Sequence, residues 1–166
     1  MAFDTYLKFD DGAKIKGEST SKGMEGTIEI FSFSLGASNP TTVGSGSTGL
    51  TGGRVSISSF NFMKKTDKAS TALFQACCAG SHIDSATVTL RKAGGDAGQQ
   101  PFLVYTFTDV MIESVQWSGS TGGDDTPTES VSIAFGKIQI DYSTQDDKGK
   151  MAKAGNATWD LTKVSK

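Results

Sequence analysis

Along most of this chain apolar and polar residues alternate, the period of a half-buried β-strand. Near the N-terminus Phe3, Thr5, Leu7 and Phe9 share one parity, and Asp4, Tyr6 and Lys8 the other. In TIEIFSFSL, Ile28 and Ile30 share parity with Ser32 and Ser34, whereas Phe31, Phe33 and Leu35 take the opposite one. Further strands are predicted over 54–63, 86–92, 101–107, 110–117, 129–142 and 158–164. Three of these stretches change parity midway: Val55 and Ile57 give way to Phe60 and Phe62, Val110 and Ile112 to Val115 and Trp117, and Val131, Ile133 and Phe135 to Ile138, Ile140 and Tyr142, with Gly136 at the last change. A one-residue slip in alternation is what a β-bulge produces, and bulges bend sheets. Several bent strands in one small domain predict a sheet rolled into a barrel or a strongly curved sandwich.

One helix interrupts this pattern. In DKASTALFQACCAGSH, Ser70, Leu73, Phe74 and Cys77 fall at helical spacing, and Gly80 sits where a left-handed C-cap belongs. The expected fold is therefore mostly β: a small curved or closed β-barrel with one flanking α-helix over about residues 69–79. RKAGGDAGQQ and SGSTGGDDTPTES read as hairpin loops, and STQDDKGKMAKAGN as a further connection. An extended loop over about residues 37–53 stands apart, being built almost wholly of Gly, Ser, Thr and Asn with one Pro. So long a connection in a compact domain is usually functional or disordered.

Composition narrows the function. At 166 residues the chain fits a single domain spanning 1–166, and its 36% apolar content is ordinary once its 20 glycines are counted. Its 16 basic and 18 acidic residues are interspersed, giving a net charge of -2. No basic stripe points to nucleic acid and no apolar run to membrane insertion. Asp4 and Lys8 stand where a signal peptide would need an apolar core, so synthesis in the cytoplasm is expected. Cys77 and Cys78 are adjacent, which disfavours a mutual disulfide, and they read as small buried hydrophobes.

Candidate chemistry is sparse. His82 is the only histidine, and Asp96, Asp124, Asp125, Asp146 and Asp147 match no calcium-loop spacing. GSGSTG lacks a phosphate-loop lysine, and Asn156-Ala157-Thr158 fits a glycosylation pattern that has no secretory signal beside it. No catalytic residue, metal site or cofactor is expected. Trp117 and Trp159 leave open a carbohydrate-binding β-sandwich, and paired carboxylates a hydrolase.

Several stretches together carry a resemblance: MAFDTYLKFD, then Ile15-Lys16-Gly17-Glu18-Ser19, IEIFSFSLG, GRVSISSFNFMKKTDKAS, ACCAGSHID, VTLRKAGG, VMIESVQWSGSTGGDD and ESVSIAFGKIQIDY. In order and spacing the chain resembles the Hcp family, the hemolysin-coregulated proteins of bacterial type VI secretion systems. The resemblance implies a non-enzymatic tube subunit with a fold like that of contractile phage tail tubes. It implies six copies closing into a ring, rings stacking into a hollow tube, and sheath, spike and lumenal effector proteins as partners. The protein would be cytoplasmic before firing and then secreted without a signal peptide. On this picture Ser32, Ser34, Ser56 and Ser58 are a candidate lumen face, and Pro40, Thr41, Val43, Gly44 and Leu50 the ring-stacking contacts of the long loop. Some family members carry a toxic domain after the tube unit; here the sequence ends soon after ATWDLTKVSK, so effectors are expected to be separate proteins.

Overall fold

The structure is a computed structural model that describes residues 2–44 and 49–166. Among them the chain forms β1 (Asp4–Phe9), β2 (Ile28–Ile30), β3 (Ser32–Ser34), β4 (Ala37–Ser38), β5 (Thr41–Val43), β6 (Leu50–Gly52), β7 (Ser56–Ile57) and β8 (Phe60–Lys65). Helix α1 (Ala69–Ala79) follows, then β9 (Ile83–Ala93), β10 (Gln99–Ser118), β11 (Thr128–Gln145) and β12 (Met151–Asp160). The main sheet runs in the order β2-β1-β9-β10-β11-β8-β3, with β12 added to β11. Its two end strands are joined in sequence by the single residue Phe31, whose amide donates to the Met63 carbonyl at 3.1 Å. The sheet therefore curls until its ends meet, as the curved barrel expected from the pattern requires.

The core fills this curl. Leu7, Phe60, Phe62, Val88, Phe107, Val110, Val131 and Ile133 are all fully buried. Phe60 sits among aromatic rings, with Phe33, Phe62, Tyr105 and Phe107 centred 5.2 to 6.3 Å from it. On β1 the alternation reading needs two corrections. Phe3 is half exposed and meets only the edge of Phe102, because it precedes the first paired residue. Tyr6, expected outside, is buried: the Arg91 guanidinium lies over its ring and its hydroxyl meets Ser21 Oγ.

The changes of parity have three different physical origins. At 112–115 the cause is a true bulge: the register between β10 and β11 slips across Glu113. At 135–138 there is no slip. Gly136 and Asp109 stand opposite each other in unbroken register, and both strands turn over there together, with Asp109 in the left-handed region at φ 55°. Near 30–32 and 57–60 the chain instead leaves one ladder for another: β2 pairs with β1 but β3 with β8, and β7 pairs with β4 but β8 with β11. The stretches 101–107 and 110–117 are one continuous strand, since a kink does not break pairing. The last strand begins earlier than its apolar pattern, at Met151, and ends at Asp160, where Thr162 and Lys163 turn back onto the Asp160 carboxylate.

Helix α1 packs on β10 and ends as expected, with Gly80 at φ 61° donating to the carbonyls of Ala76 and Cys77. Its buried stripe is Ala69, Ser70, Leu73 and Ala76. Phe74 and Cys78 are exposed and Cys77 is half-buried against the core, so of the two cysteines expected inside only Cys77 reaches it. The helix turns its small residues to the barrel, which brings its axis close and leaves the bulky Phe74 to lie on Trp117. Gly17, in the IKGES stretch, lies against the chain beyond it: a Cβ there would come within 2.1 Å of the Thr27 carbonyl oxygen.

Candidate functional site

Alternate residues of β8 and β11 build two unlike faces. Facing inward, Phe60, Phe62 and Lys64 pair with Ile133, Val131 and Glu129. Lys64 and Glu129 are both fully buried, with Lys64 Nζ 2.6 Å from Glu129 Oε2. The ammonium also donates to the Lys65 carbonyl oxygen at 3.0 Å and to Ser70 Oγ at 2.9 Å, and lies 2.9 Å from Asp67 Oδ1. Ser70 in turn donates to Glu129 Oε2. Asp67 Oδ1 accepts from the Ala69 amide at 2.9 Å, and so caps the first turn of α1. The cluster thus ties the helix start to the barrel wall. The expected strand over 54–63 stops short of Lys64, and lone buried charges are costly. Only as cross-strand partners do they satisfy each other.

Facing outward, two rows of cross-strand partners carry no charge, while Lys65 at the end of β8 is exposed. One row across the sheet reads Ser34, Asn61, Ser132 and Ser114, and the next Ser32, Met63, Ser130 and Gln116. Ser34, Ser32, Ser114, Ser130 and Gln116 are exposed, and the Ser132 hydroxyl donates to the Asn61 side-chain carbonyl. Of the serines singled out in the sequence, Ser32 and Ser34 lie on this face. Ser56 and Ser58 are exposed too but belong to the long loop, where Ser58 Oγ accepts from the Gly36 amide at 2.9 Å.

That loop is not unstructured. Strands β3 and β8 continue past the barrel as an arm, with β4 paired to β7 and then β5 to β6. Each segment is one residue out of register with the segment before it, and the gaps are bridged by Ser58 N donating to Gly36 O at 2.8 Å and Gly53 N to Pro40 O at 2.7 Å. Alternation failed here because pairing rests on backbone hydrogen bonds between Gly, Ser and Thr, with no buried face to leave a pattern. Thr41, Val43 and Leu50 are strand residues near the tip, Val43 facing Leu50. Val43 is 79% and Leu50 70% exposed. Pro40 sits where the register changes, and Gly44 follows the end of β5; residues 45–48 of the expected loop lie outside the described residues.

Other candidates do not converge. His82 is exposed just after the helix, and among the described residues no three His, Cys, Asp or Glu side chains gather as a metal site. Trp117 faces Glu129 and Trp159 faces Ile138 along β11, about 30 Å apart at strand spacing. They cannot form one sugar platform. Trp159 joins the core, and its Nε1 is buried without a hydrogen-bond partner among the described residues. Two open concavities stand out among the described residues. One, of about 910 Å³, is lined by Phe3, Asp4, Glu18, Glu29, Phe31 and Lys65 among others. The second, of about 800 Å³, lies between the arm base at Leu35 and Ile57 and strand β12 at Trp159.

Titration shifts appear at several surface carboxylates and one tyrosine. Hydrogen bonds from Asn156 and then Gln139 hold the Asp141 carboxyl below its ordinary range, and the Thr162 hydroxyl does the same for Asp160. Burial raises the Tyr105 hydroxyl. These are local contacts and build no acid–base pair.

Comparison with known proteins gives one answer. Residues 6–142 match the family model described as Type VI secretion system effector, Hcp. The chain is 36% identical over 149 residues to Protein hcp1 of Pseudomonas aeruginosa, covering 90% of this chain and 88% of that one. Among solved structures, one described as a type six secretion system protein superposes with a TM-score of 0.90 at 36% identity, over 99% of both chains. Hcp1 from Salmonella typhimurium superposes at 0.77 with 31% identity, again over 99% of both. A type VI secretion system effector from Yersinia pestis gives 0.72 at 28% identity, over 95% of this chain and 99% of that one. With a barrel closed through Phe31, a single flanking helix and a match running nearly end to end, this chain belongs to the Hcp family of type VI secretion proteins.

Proposed function

We propose that the protein is a structural subunit of the type VI secretion tube. Six copies close into a ring, rings stack head to tail, and the outward face of β3, β8, β11 and β10 lines the hole. The observation that supports this most is the composition of that face: two rows of hydroxyl, amide and thioether side chains with no charge among them, backed by a fully buried core. A conduit wall of this kind offers cargo short, interchangeable hydrogen bonds and no fixed ion pair, so a passenger is held weakly and can move. Sheath and spike proteins act outside and ahead of the tube, effectors travel within it, and the protein leaves the cell with them, without a signal peptide.

The ring is tested by light scattering after size exclusion, where a six-subunit mass is expected. The wall is tested by Ser34→Arg: the ring mass should be unchanged while capture of lumenal effectors falls. Intact capture would remove Ser34 from the lumen. For the arm, deletion of residues 39–52 should leave rings intact and shorten stacks seen by electron microscopy. The carbohydrate-binding reading loses its platform with the separation of Trp117 from Trp159 along β11.

A further inference from the structure

One side chain on the outward face departs from its neighbours. In the two neutral rows seven of the eight residues end in a hydroxyl or an amide, and Met63 alone is apolar. It is 37% exposed, and its cross-strand partners are Ser32 on β3 and Ser130 on β11. Partners across a ladder stand about 5 Å apart, close enough to touch, but a serine is too short to cover a methionine. The thioether therefore rises above a floor of hydroxymethyl groups. The core makes no use of it, since the residues of β8 that are buried, Phe60, Phe62 and Lys64, take the opposite parity.

A single exposed apolar residue on a monomer is ordinary. Closing a ring changes its meaning, because every copy then sets a methionine at the same height on the wall. The type of residue suits that position. Methionine is unbranched and polarisable, so it moulds itself to apolar partners of unlike shape, and flexible methionine surfaces accept many partners. Each contact is weak, but contacts repeated around one axis add up for a passenger that meets several of them. The serines on either side offer hydrogen bonds to any polar group and so discriminate little.

We infer that Met63 is the residue that sets the wall's preference among passengers: it forms a belt, one methionine from each copy, that favours effector proteins presenting apolar side chains to the hole. This inference rests on the ring and wall readings of the proposed function and adds to them a chemical basis for choosing cargo.

Two dye-labelled peptides of equal length test it, both uncharged chains of Gly and Ser, one with three of its serines replaced by leucine. Their binding is followed by fluorescence anisotropy on protein whose ring mass has been checked by light scattering. The leucine peptide should bind the parent more tightly than the serine peptide does. Met63→Ser should weaken the leucine peptide on the order of tenfold, the effect of leaving one apolar side chain in water, and Met63→Leu should restore it. The serine peptide should not distinguish the three proteins. Equal binding of the two peptides to the parent overturns the inference. So does a leucine peptide that is indifferent to Met63→Ser but weakened by Ser34→Arg, and in that case the wall reading stands. Indifference to both substitutions overturns the wall reading, and the belt falls with it.

Discussion

The ladder formed by β8 and β11 has two faces that differ in almost every respect. Its inner face holds two apolar cross-strand pairs, Phe60 with Ile133 and Phe62 with Val131, and the Lys64–Glu129 pair, none of it reached by water. Its outer face holds Asn61, Met63, Ser130 and Ser132, small or flexible groups open to solvent. Because side chains alternate along a strand, every second residue answers to the core and every other to whatever passes outside. In these two rows the division is also one of charge: the ion pair lies inside and fixes the fold, and the outer partners are neutral. The wall can therefore change its outer residues without disturbing what holds it up.

The contrast is broken most severely from inside. Lys64→Met leaves the Glu129 carboxylate buried without its partner and should cost about 3–5 kcal/mol in urea denaturation. Adding Glu129→Leu should recover most of that loss, since an apolar pair of similar size replaces a buried ion pair at little or no cost. A single substitution costing less than a surface one would mean that the cluster does not pin the helix. Removing residues 39–52, which are outside the core, should change stability by no more than about 1 kcal/mol, because closing a shorter loop alters chain entropy only slowly. Ser34→Arg on the outer face should stay within about 0.5 kcal/mol of the parent.

The smallest effect sharpens the contrast between buried and exposed polar contacts. Asn156→Ala removes the main hydrogen bond to the exposed Asp141, whose carboxyl should rise toward its ordinary value in an NMR titration. A depressed folded value means that the stabilisation is complete above the ordinary carboxylate range and is lost as pH falls through the depressed value. In the variant that acid-side loss should shrink.

Much of this was legible in the sequence, unevenly. The helix and its Gly80 cap, the β-rich class and the curvature followed from period and parity, because packing against one core leaves a regular trace. The same parity changes were ambiguous, since a bulge at Glu113, a kink at Asp109 and a handover at Phe31 all displace alternation by one residue. Only pairing partners tell them apart, and those are distant in sequence. The arm left no trace because neither of its faces is buried. The buried pair of Lys64 and Glu129 was not legible, since what reconciles each charge to the interior is a partner 65 positions away.

Phe31 carries one further consequence, for the order of events in folding. The three residues before it pair with β1, locally, while the three after it pair with β8. Residues 28–34 thus act as a clasp, and the barrel cannot shut until β8 has already found β11. Topologies governed by such distant pairings fold slowly, on the order of milliseconds to seconds. A clasp fastened last contributes to holding the molecule closed more than to forming it. Weakening it at Phe33, which stacks on Phe60, should accelerate unfolding and leave the refolding rate nearly untouched. If the chain works as the proposed tube subunit, the seam is where its lifetime during ejection is set.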